Sequence, residues 1–455
     1  MLRFSRLLFA AVCLATPLAA QAPADSAILS IIKARVDAGR FAGIAVGVVD
    51  RTGKRRVVAY GPNAGVQPFD GNTVFEIGSI TKTFTAAILA DMVRKGEVSL
   101  DDPVVKFLPP GTVVPSRDGR QITLLDLATQ SSGLPRMPAN FAPKDPANPF
   151  ADYTVPQLYD FLKSYQLTRG VGEKYEYSNL GVGLLGHALA LRAGKSYEEL
   201  AIERVLKPLG MKDTHIALNA SMQRRLAPGH SADGKVVSNW DIPTLAGAGA
   251  LRSTVNDMLT YIRANADSTS KPLGTTLAMT HFARRAAGAP NMKIGLNWHR
   301  VTGPNGITFV WHNGGTGGYR TFTGYSEATG EGVVVLSNTG NSVDEIGMRL
   351  LDPAFPLPPL PTPHTEIALA ADVLDRYVGR FEFTPAFAIT ISRDGSQLFA
   401  QATDQPRFPI FAEKPDQFFY QVVDAQLSFT RDSTGAVTGL VLHQNGGHMP
   451  AKKKP

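Results

Sequence analysis

Serine, lysine, tyrosine and histidine occur in this chain at spacings that suit acyl transfer. Ser-x-x-Lys appears three times, at Ser30/Lys33, Ser79/Lys82 and Ser268/Lys271. On a helix, residues three apart share a face, so the lysine amine can reach the serine hydroxyl and take its proton. Setting separates the three pairs. Ser30 falls on an amphipathic surface helix and Ser268 in a polar stretch. Ser79 lies in TVFEIGSITKTFTAAILADMV, after Gly78 and at the start of an apolar helix. Backbone N–H groups and the positive end of the helix dipole gather there and favour developing negative charge. A capping serine beside a snorkelling lysine is the plainer reading of the same pair, and alone the two readings balance.

Two further motifs tip that balance. Tyr177-Ser178-Asn179 is the only Tyr-x-Asn, and His312-Asn313-Gly314 the only His-x-Gly. His312 closes a strand-like run and enters a glycine cluster, where backbone N–H groups can approach a substrate closely. Other chemistries lack a signature. There is no G-x-S-x-G elbow, no H-E-x-x-H and no Walker loop, and the histidines are scattered singly. No metal and no cofactor are expected. A literal G-x-G-x-x-G at Gly181, Gly183 and Gly186 follows the polar GEKYEYSN rather than a buried strand. It reads as close helix packing, not a dinucleotide site.

The elements that must position these groups follow from patterning. Residues 26–39 have helical spacing, and AGIAVGVVD (42–50) with KRRVVAYG (54–61) flank a turn as a hairpin. Residues 83–93 form an apolar helix. From about 100 to 300 short helices and loops dominate. Strands return at 307–312, 319–326 and 332–338. Strands at both ends with helices between exclude an alternating βαβ chain. They predict an α+β domain whose terminal strands meet in one antiparallel sheet, flanked by helices and carrying a mostly helical subdomain. PAFPLPPLPTP (353–363) is a stiff linker. Beyond it, successive short strands separated by turn signals predict a small all-β, barrel-like domain, with Lys452, Lys453 and Lys454 in a terminal tail. Lys293-Ile294-Gly295, the only Lys-x-Gly, follows a loop-like GAPNM and is taken as structural.

Composition bounds the rest. With 455 residues, 44% hydrophobic and 19% charged, the chain is neither disordered nor fibrous. Its net charge is +7, but basic residues are scattered among acids, so no nucleic-acid partner is expected. Arg3 and Arg6, the apolar Leu7 to Leu14 and the small Leu18-Ala19-Ala20 read as a signal peptide cleaved after Ala20. That predicts a periplasmic or secreted protein with no membrane span in its mature form. Cys13, the only cysteine, would leave with the signal, so no disulfide is expected. The layout is 1–20 signal, 21–352 catalytic domain, 353–366 linker and 367–455 β domain. The sequence carries no signal for an oligomeric state.

In order and context, Ser79-Ile-Thr-Lys82, Tyr177-Ser-Asn179 and His312-Asn-Gly314 resemble the serine β-lactamase and penicillin-binding-protein superfamily. The class C branch, with its DD-carboxypeptidases, D-aminopeptidases and family VIII-type esterases, is most similar. LLDLATQSSGLPR (124–136) and GAGALRSTVNDM (247–258) look like linking stretches of that family. The resemblance covers residues 26–350 and implies Ser79 as nucleophile and Lys82 as the group that eases its deprotonation. It implies Tyr177 as proton shuttle, its pKa depressed by Lys82 and by His312 when protonated, and Asn179 as a holder of Lys82 and of a substrate amide. The oxyanion would lie between the N–H groups of Ser79 and Gly315, with Gly314 beside the substrate and Arg320 on a substrate carboxylate. Substrates implied are β-lactams or D-amino-acid peptides such as peptidoglycan stem peptides. Small acyl esters, and a non-catalytic penicillin-binding or sensor role, are the alternatives. His312 stands where β-lactamases usually carry lysine, which weighs against efficient β-lactam hydrolysis. A neutral His312 that accepts a hydrogen bond from Tyr177 is the favoured expectation. For the appended β domain the resemblance offers one role, covering the active-site mouth and restricting substrate size.

Overall fold

The computed structural model describes residues 22–454 apart from 63–68, 270, 361–363, 386, 404, 422, 424 and 445–446. The proposed signal peptide and part of the proline-rich linker lie outside the described residues.

One eight-stranded antiparallel sheet organises the first 350 residues. Its order is Arg55–Tyr60, Ile44–Val49, Gly332–Ser337, Arg320–Ser326, Thr308–Gly315, His299–Thr302, Ala289–Ile294, Arg285–Ala287. The first and last parts of the domain meet as expected, with Ile44 opposite Ser337 and Val49 opposite Gly332. Every residue of Ile44–Val49 is buried, because helices cover both faces. Asp25–Asp37 and Asp344–Leu351 close one face through Ile28, Ile32, Phe322, Val333, Val335 and Ile346. Val255–Ala266 closes the other, and a Cβ on Gly47 would come within 2.6 Å of Val255.

The three strands between 285 and 302 are a correction to the reading of this region as loop. GAPNM is not a loop but the start of the strand Ala289–Ile294, whose alternation is hidden because it lies near the sheet edge with most residues exposed. Pro290 is tolerated there, where fewer backbone donors are needed. Lys293 is exposed on this strand.

Between the sheet ends, helices pack around Thr81–Arg94, which is buried through its first twelve residues. Asn179–Ala193 crosses the short helix Ala246–Gly249 at close range. A Cβ on Gly183 would lie 2.6 Å from Leu245, and one on Gly186 2.9 Å from the Cα of Gly247. The G-x-G-x-x-G is therefore a packing device, as read.

Residues 379–454 form a closed eight-stranded antiparallel barrel in sequence order. Its core holds Tyr377, Phe381, Phe418, Leu427, Phe429 and Leu440. Two of its strands escape the sequence pattern. Arg407–Lys414 carries Pro409, and Gly447–Lys454 ends in three lysines. The lysine tail is in fact the strand that closes the barrel, with Arg380 opposite Lys454 and Phe381 opposite Lys453.

Candidate active site

Ser79 lies in a single 3-10 turn, Gly78–Ile80, that leads directly into Thr81–Arg94. Gly78 has φ +50, and a side chain there would strike the backbone of Gly315, with a Cβ 2.6 Å from its nitrogen. Only glycine allows this approach, which brings the Gly315 strand against the serine turn. Thr321 Oγ1 donates to Ile77 O at 3.0 Å and pins the same junction from the sheet side.

Lys82, the second residue of the helix Thr81–Arg94, is fully buried. Its Nζ lies 3.0 Å from Ser79 Oγ, 2.8 Å from Asn179 Oδ1 and 2.7 Å from Ala248 O. Burial, with the Arg136 charge adding to it, holds its pKa well below the ordinary lysine value. A neutral amine has two N–H donors and one lone pair. Asn179 Oδ1 and Ala248 O can only accept, so they take the two donors, and the lone pair faces the one neighbour able to donate, the Ser79 hydroxyl. Asn179 is held in the matching orientation because its Nδ2 donates to Met137 Sδ at 3.8 Å.

The Tyr-x-Asn motif sits at the start of Asn179–Ala193. Its middle residue, Ser178, is the N-cap: Oγ accepts from Gly181 N at 2.8 Å and donates to Pro135 O at 2.6 Å. Capping fixes where the helix begins and thereby where the flanking Tyr177 and Asn179 project. Lys82 Nζ stands 4.9 Å from the centre of the Tyr177 ring. Burial raises the Tyr177 pKa, outweighing the opposite pulls of the Ser79 hydroxyl and the Arg136 charge. This corrects the expectation of a depressed tyrosine: the phenol stays protonated and is a proton donor.

His312 is fully buried on Thr308–Gly315, its ring centre 6.3 Å from that of Tyr177. Nδ1 pairs with Asn313 O at 2.6 Å, which makes Nε2 the acceptor, and Nε2 has no partner. Burial first, then the nearby His299 and Lys82, push its pKa well below 6.5. His312 is thus neutral, as favoured, but it accepts no hydrogen bond from Tyr177 and supplies no positive charge to it. Gly314 packs on Ile77, where a Cβ would lie 2.0 Å from the carbonyl oxygen. Arg320 is half-buried beside Gly315, and its Nη1 donates to Thr316 O at 2.6 Å and Tyr319 O at 2.8 Å.

Comparison with known proteins now has a geometry to meet. The Beta-lactamase family model matches residues 28–352. The chain belongs to the Beta-lactamase family. A second model, a domain of unknown function (DUF3471), matches residues 363–451. The chain is 36% identical over 225 residues to the D-alanyl-D-alanine-carboxypeptidase/endopeptidase AmpH of Escherichia coli, a match covering 49% of this chain and 56% of that protein. It is 28% identical to a Beta-lactamase of Pseudomonas fluorescens, covering 66% of this chain and 88% of the relative. Among solved structures, a class C beta lactamase from Rhodobacter sphaeroides superposes with a TM-score of 0.59 at 26% identity, covering 70% of this chain and 94% of that one. A Beta-Lactamase/D-Alanine Carboxypeptidase from Pseudomonas syringae shares the fold at TM-score 0.62 and 22% identity, covering 73% and 100%.

In this Beta-lactamase-family domain Ser79, Tyr177, Asn179, Asn313 and Gly314 line a cavity of about 640 Å³, with Lys82 and His312 fully buried and not among its lining residues. Ser79, Tyr177 and Asn179 form its floor, with Asn313 to Thr316 and Arg320 on one side. Several residues in and behind its wall belong to no motif. Trp240 and Phe150, ring centres 5.3 Å apart, build an aromatic wall. Glu76, buried in the strand before Ser79, accepts from Trp240 N at 2.9 Å and Arg252 Nη2 at 3.3 Å, and so anchors that wall. His299 is buried with Nε2 2.9 Å from Tyr175 Oη and its ring centre 5.2 Å from that of His312; burial lowers its pKa to about 4. Single residues without a motif are placed by tertiary packing alone. Among the described residues no barrel residue lines this cavity, and no His/Cys/Asp/Glu cluster could hold a metal.

Proposed function

We propose that the chain is an exported serine hydrolase that works through an acyl-Ser79 intermediate on D-amino-acid peptides or β-lactams. The observation that carries this reading is the buried Lys82 Nζ, 3.0 Å from Ser79 Oγ and held by the acceptors Asn179 Oδ1 and Ala248 O, where burial pulls its pKa down and favours the neutral base. Ser79 Oγ attacks the substrate carbonyl as its proton passes to Lys82 Nζ. The oxyanion lies against the N–H groups of Ser79 and Gly315, each donor contributing about 3–4 kcal/mol. The Tyr177 hydroxyl protonates the departing nitrogen or oxygen and regains a proton from the Lys82 ammonium. Water then follows the same route in reverse and frees Ser79. Asn179 keeps Lys82 in register, and neutral His312 shapes the wall beside Tyr177 with a free acceptor at Nε2.

The test is incubation of the mature protein with a fluorescent penicillin and with p-nitrophenyl acetate. Covalent label on Ser79, followed by release, is the expected result; absence of both label and ester turnover rejects the reading. Small acyl esters are the second reading, favoured by an uncharged His312 in place of a lysine. Rapid ester turnover without penicillin label selects it, whereas stable label without turnover selects a binding or sensor role. Residues 1–20 direct export, so the N-terminus of the processed protein should be Gln21; among the described residues no helix is long and apolar enough to cross a membrane.

A further inference from the structure

The cavity wall on the Tyr177 side carries a cation that contacts no substrate atom in these steps, although its charge helps depress the Lys82 pKa. The backbone of Arg136 is tied to the Tyr-x-Asn turn, its carbonyl accepting from Asn179 N at 3.0 Å and Leu180 N at 3.3 Å. Its exposed guanidinium opens into the cavity, the central carbon 5.1 Å from the Tyr177 ring centre. Among the described residues no carboxylate pairs with it and no hydrogen bond holds its N–H groups, and no aspartate or glutamate lines the cavity. Arg320, across the cavity, differs. Two backbone carbonyls hold its Nη1, and the Asp344 charge already acts on it. A planar guanidinium with five unspent donors, fixed at its backbone and facing a pocket without acids, is built to grip a carboxylate in two-point fashion.

We propose that Arg136 is the receptor for a carboxylate carried on the leaving-group side of the substrate. This rests on the hydrolase reading, because Tyr177 hands its proton to the departing atom and Arg136 stands over the Tyr177 ring. The acyl side then falls toward Met137, Phe150 and Trp240, an apolar and aromatic surface. The substrate class is an acyl donor with an apolar acyl group and an acidic leaving portion, as in a peptide whose departing residue bears a free α-carboxylate.

The experiment compares two aryl esters of one arylacetyl group on the full chain, one phenol carrying a meta-carboxylate and the other the matching carboxamide. The protein should prefer the carboxylate in kcat/KM by about 10–100-fold, the scale of a charge-assisted hydrogen-bond pair. That preference should collapse in Arg136→Gln, mainly through KM, return in part in Arg136→Lys, and survive in Arg320→Gln. Preference that is absent in the native protein, unchanged in Arg136→Gln, or lost only in Arg320→Gln overturns the assignment. If both esters turn over at equal rates, Arg136 alone is misassigned. If neither ester nor the fluorescent penicillin acylates Ser79, the hydrolase reading falls, and this inference with it.

Discussion

Two cations, one partly exposed and one fully buried, show how differently the two halves of the chain use charge. In the barrel, Arg431 lies on Asp416, with Nη2 2.7 Å and Nε 2.9 Å from Oδ1, and Nη1 donates to Gly435 O at 2.7 Å. These partners raise its pKa, so the charge is fully answered. In the catalytic domain, Lys82 is more deeply buried and has no carboxylate, and its pKa moves the opposite way. The same contrast holds for polar atoms. His299 Nδ1, Trp311 Nε1, His312 Nε2 and Thr316 Oγ1 are buried without partners near the cavity, whereas among the described residues no barrel side chain has such an atom. Unanswered polar groups cost stability, and among the described residues they all fall in the catalytic domain, a few of them around the cavity.

Removing the nucleophile breaks the comparison most strongly. Ser79→Ala should lower turnover by about 10⁴-fold or more and abolish the acyl adduct seen by mass spectrometry, with the melting temperature unmoved. Near-native turnover in that variant would remove Ser79 from the mechanism.

Lys82→Met separates chemistry from stability. Turnover should fall by about 10²–10⁴-fold, yet the fold should be as stable or more so at neutral pH. The sign follows from linkage. Between the depressed folded pKa and about 10.4, the unfolded lysine binds a proton that the folded one does not, so native stability declines as pH drops through that window. Denaturant midpoints from pH 7 to 10 should lose part of that slope in Lys82→Met.

Acid should expose the histidine pair next. His299 titrates near 4 when folded and near 6.5 when unfolded, so it erodes stability as pH falls from about 6.5 to 4. His299→Gln should flatten that segment of a stability-against-pH curve; an unchanged curve would show that His299 does not contribute to it.

The two halves should also part physically. We propose that residues 353–366 form a cleavable joint, so limited proteolysis should nick there and leave two resistant fragments. Arg431→Met should have the smallest effect, lowering stability by about 1 kcal/mol with kcat/KM unchanged, because its charge serves only the barrel. Loss of catalysis in that variant would tie the halves together.

Much of this was legible in advance. The strands at 44–49, 55–60, 308–315, 320–326 and 332–337 carry dense β-branched and aromatic runs, and they form the centre of the sheet and its hairpin. Strands with atypical composition were lost: Ala289–Ile294 and Arg407–Lys414 contain proline, and Gly447–Lys454 hides a barrel strand behind three lysines. In the candidate site, Ser79, Lys82, Tyr177, Asn179 and His312 were legible as three short motifs in the order of a resembled family, the Ser79/Lys82 pair also by its helical spacing. Arg136, Trp240 and His299 belong to no such motif. Only packing brings them to Tyr177 or His312, through contacts between segments as distant as Tyr175 and His299. Titration was misjudged for Tyr177 because burial, invisible in a sequence, outweighs the neighbouring charge.

The pairing of Ile44–Val49 with Gly332–Ser337 has a consequence in time. Barrel strands pair with their sequence neighbours, so that half can zip up hairpin by hairpin, with one long-range closure at Arg380 and Lys454. The catalytic sheet has the reverse kinetic character. Its buried central strand waits for a partner nearly 300 residues later, and a loop of that span makes for high contact order and slow nucleation. As the chain leaves the ribosome, Ser79 and Lys82 emerge long before Gly315 and the strand that seats it. A partly made chain therefore carries every early motif and no assembled catalyst.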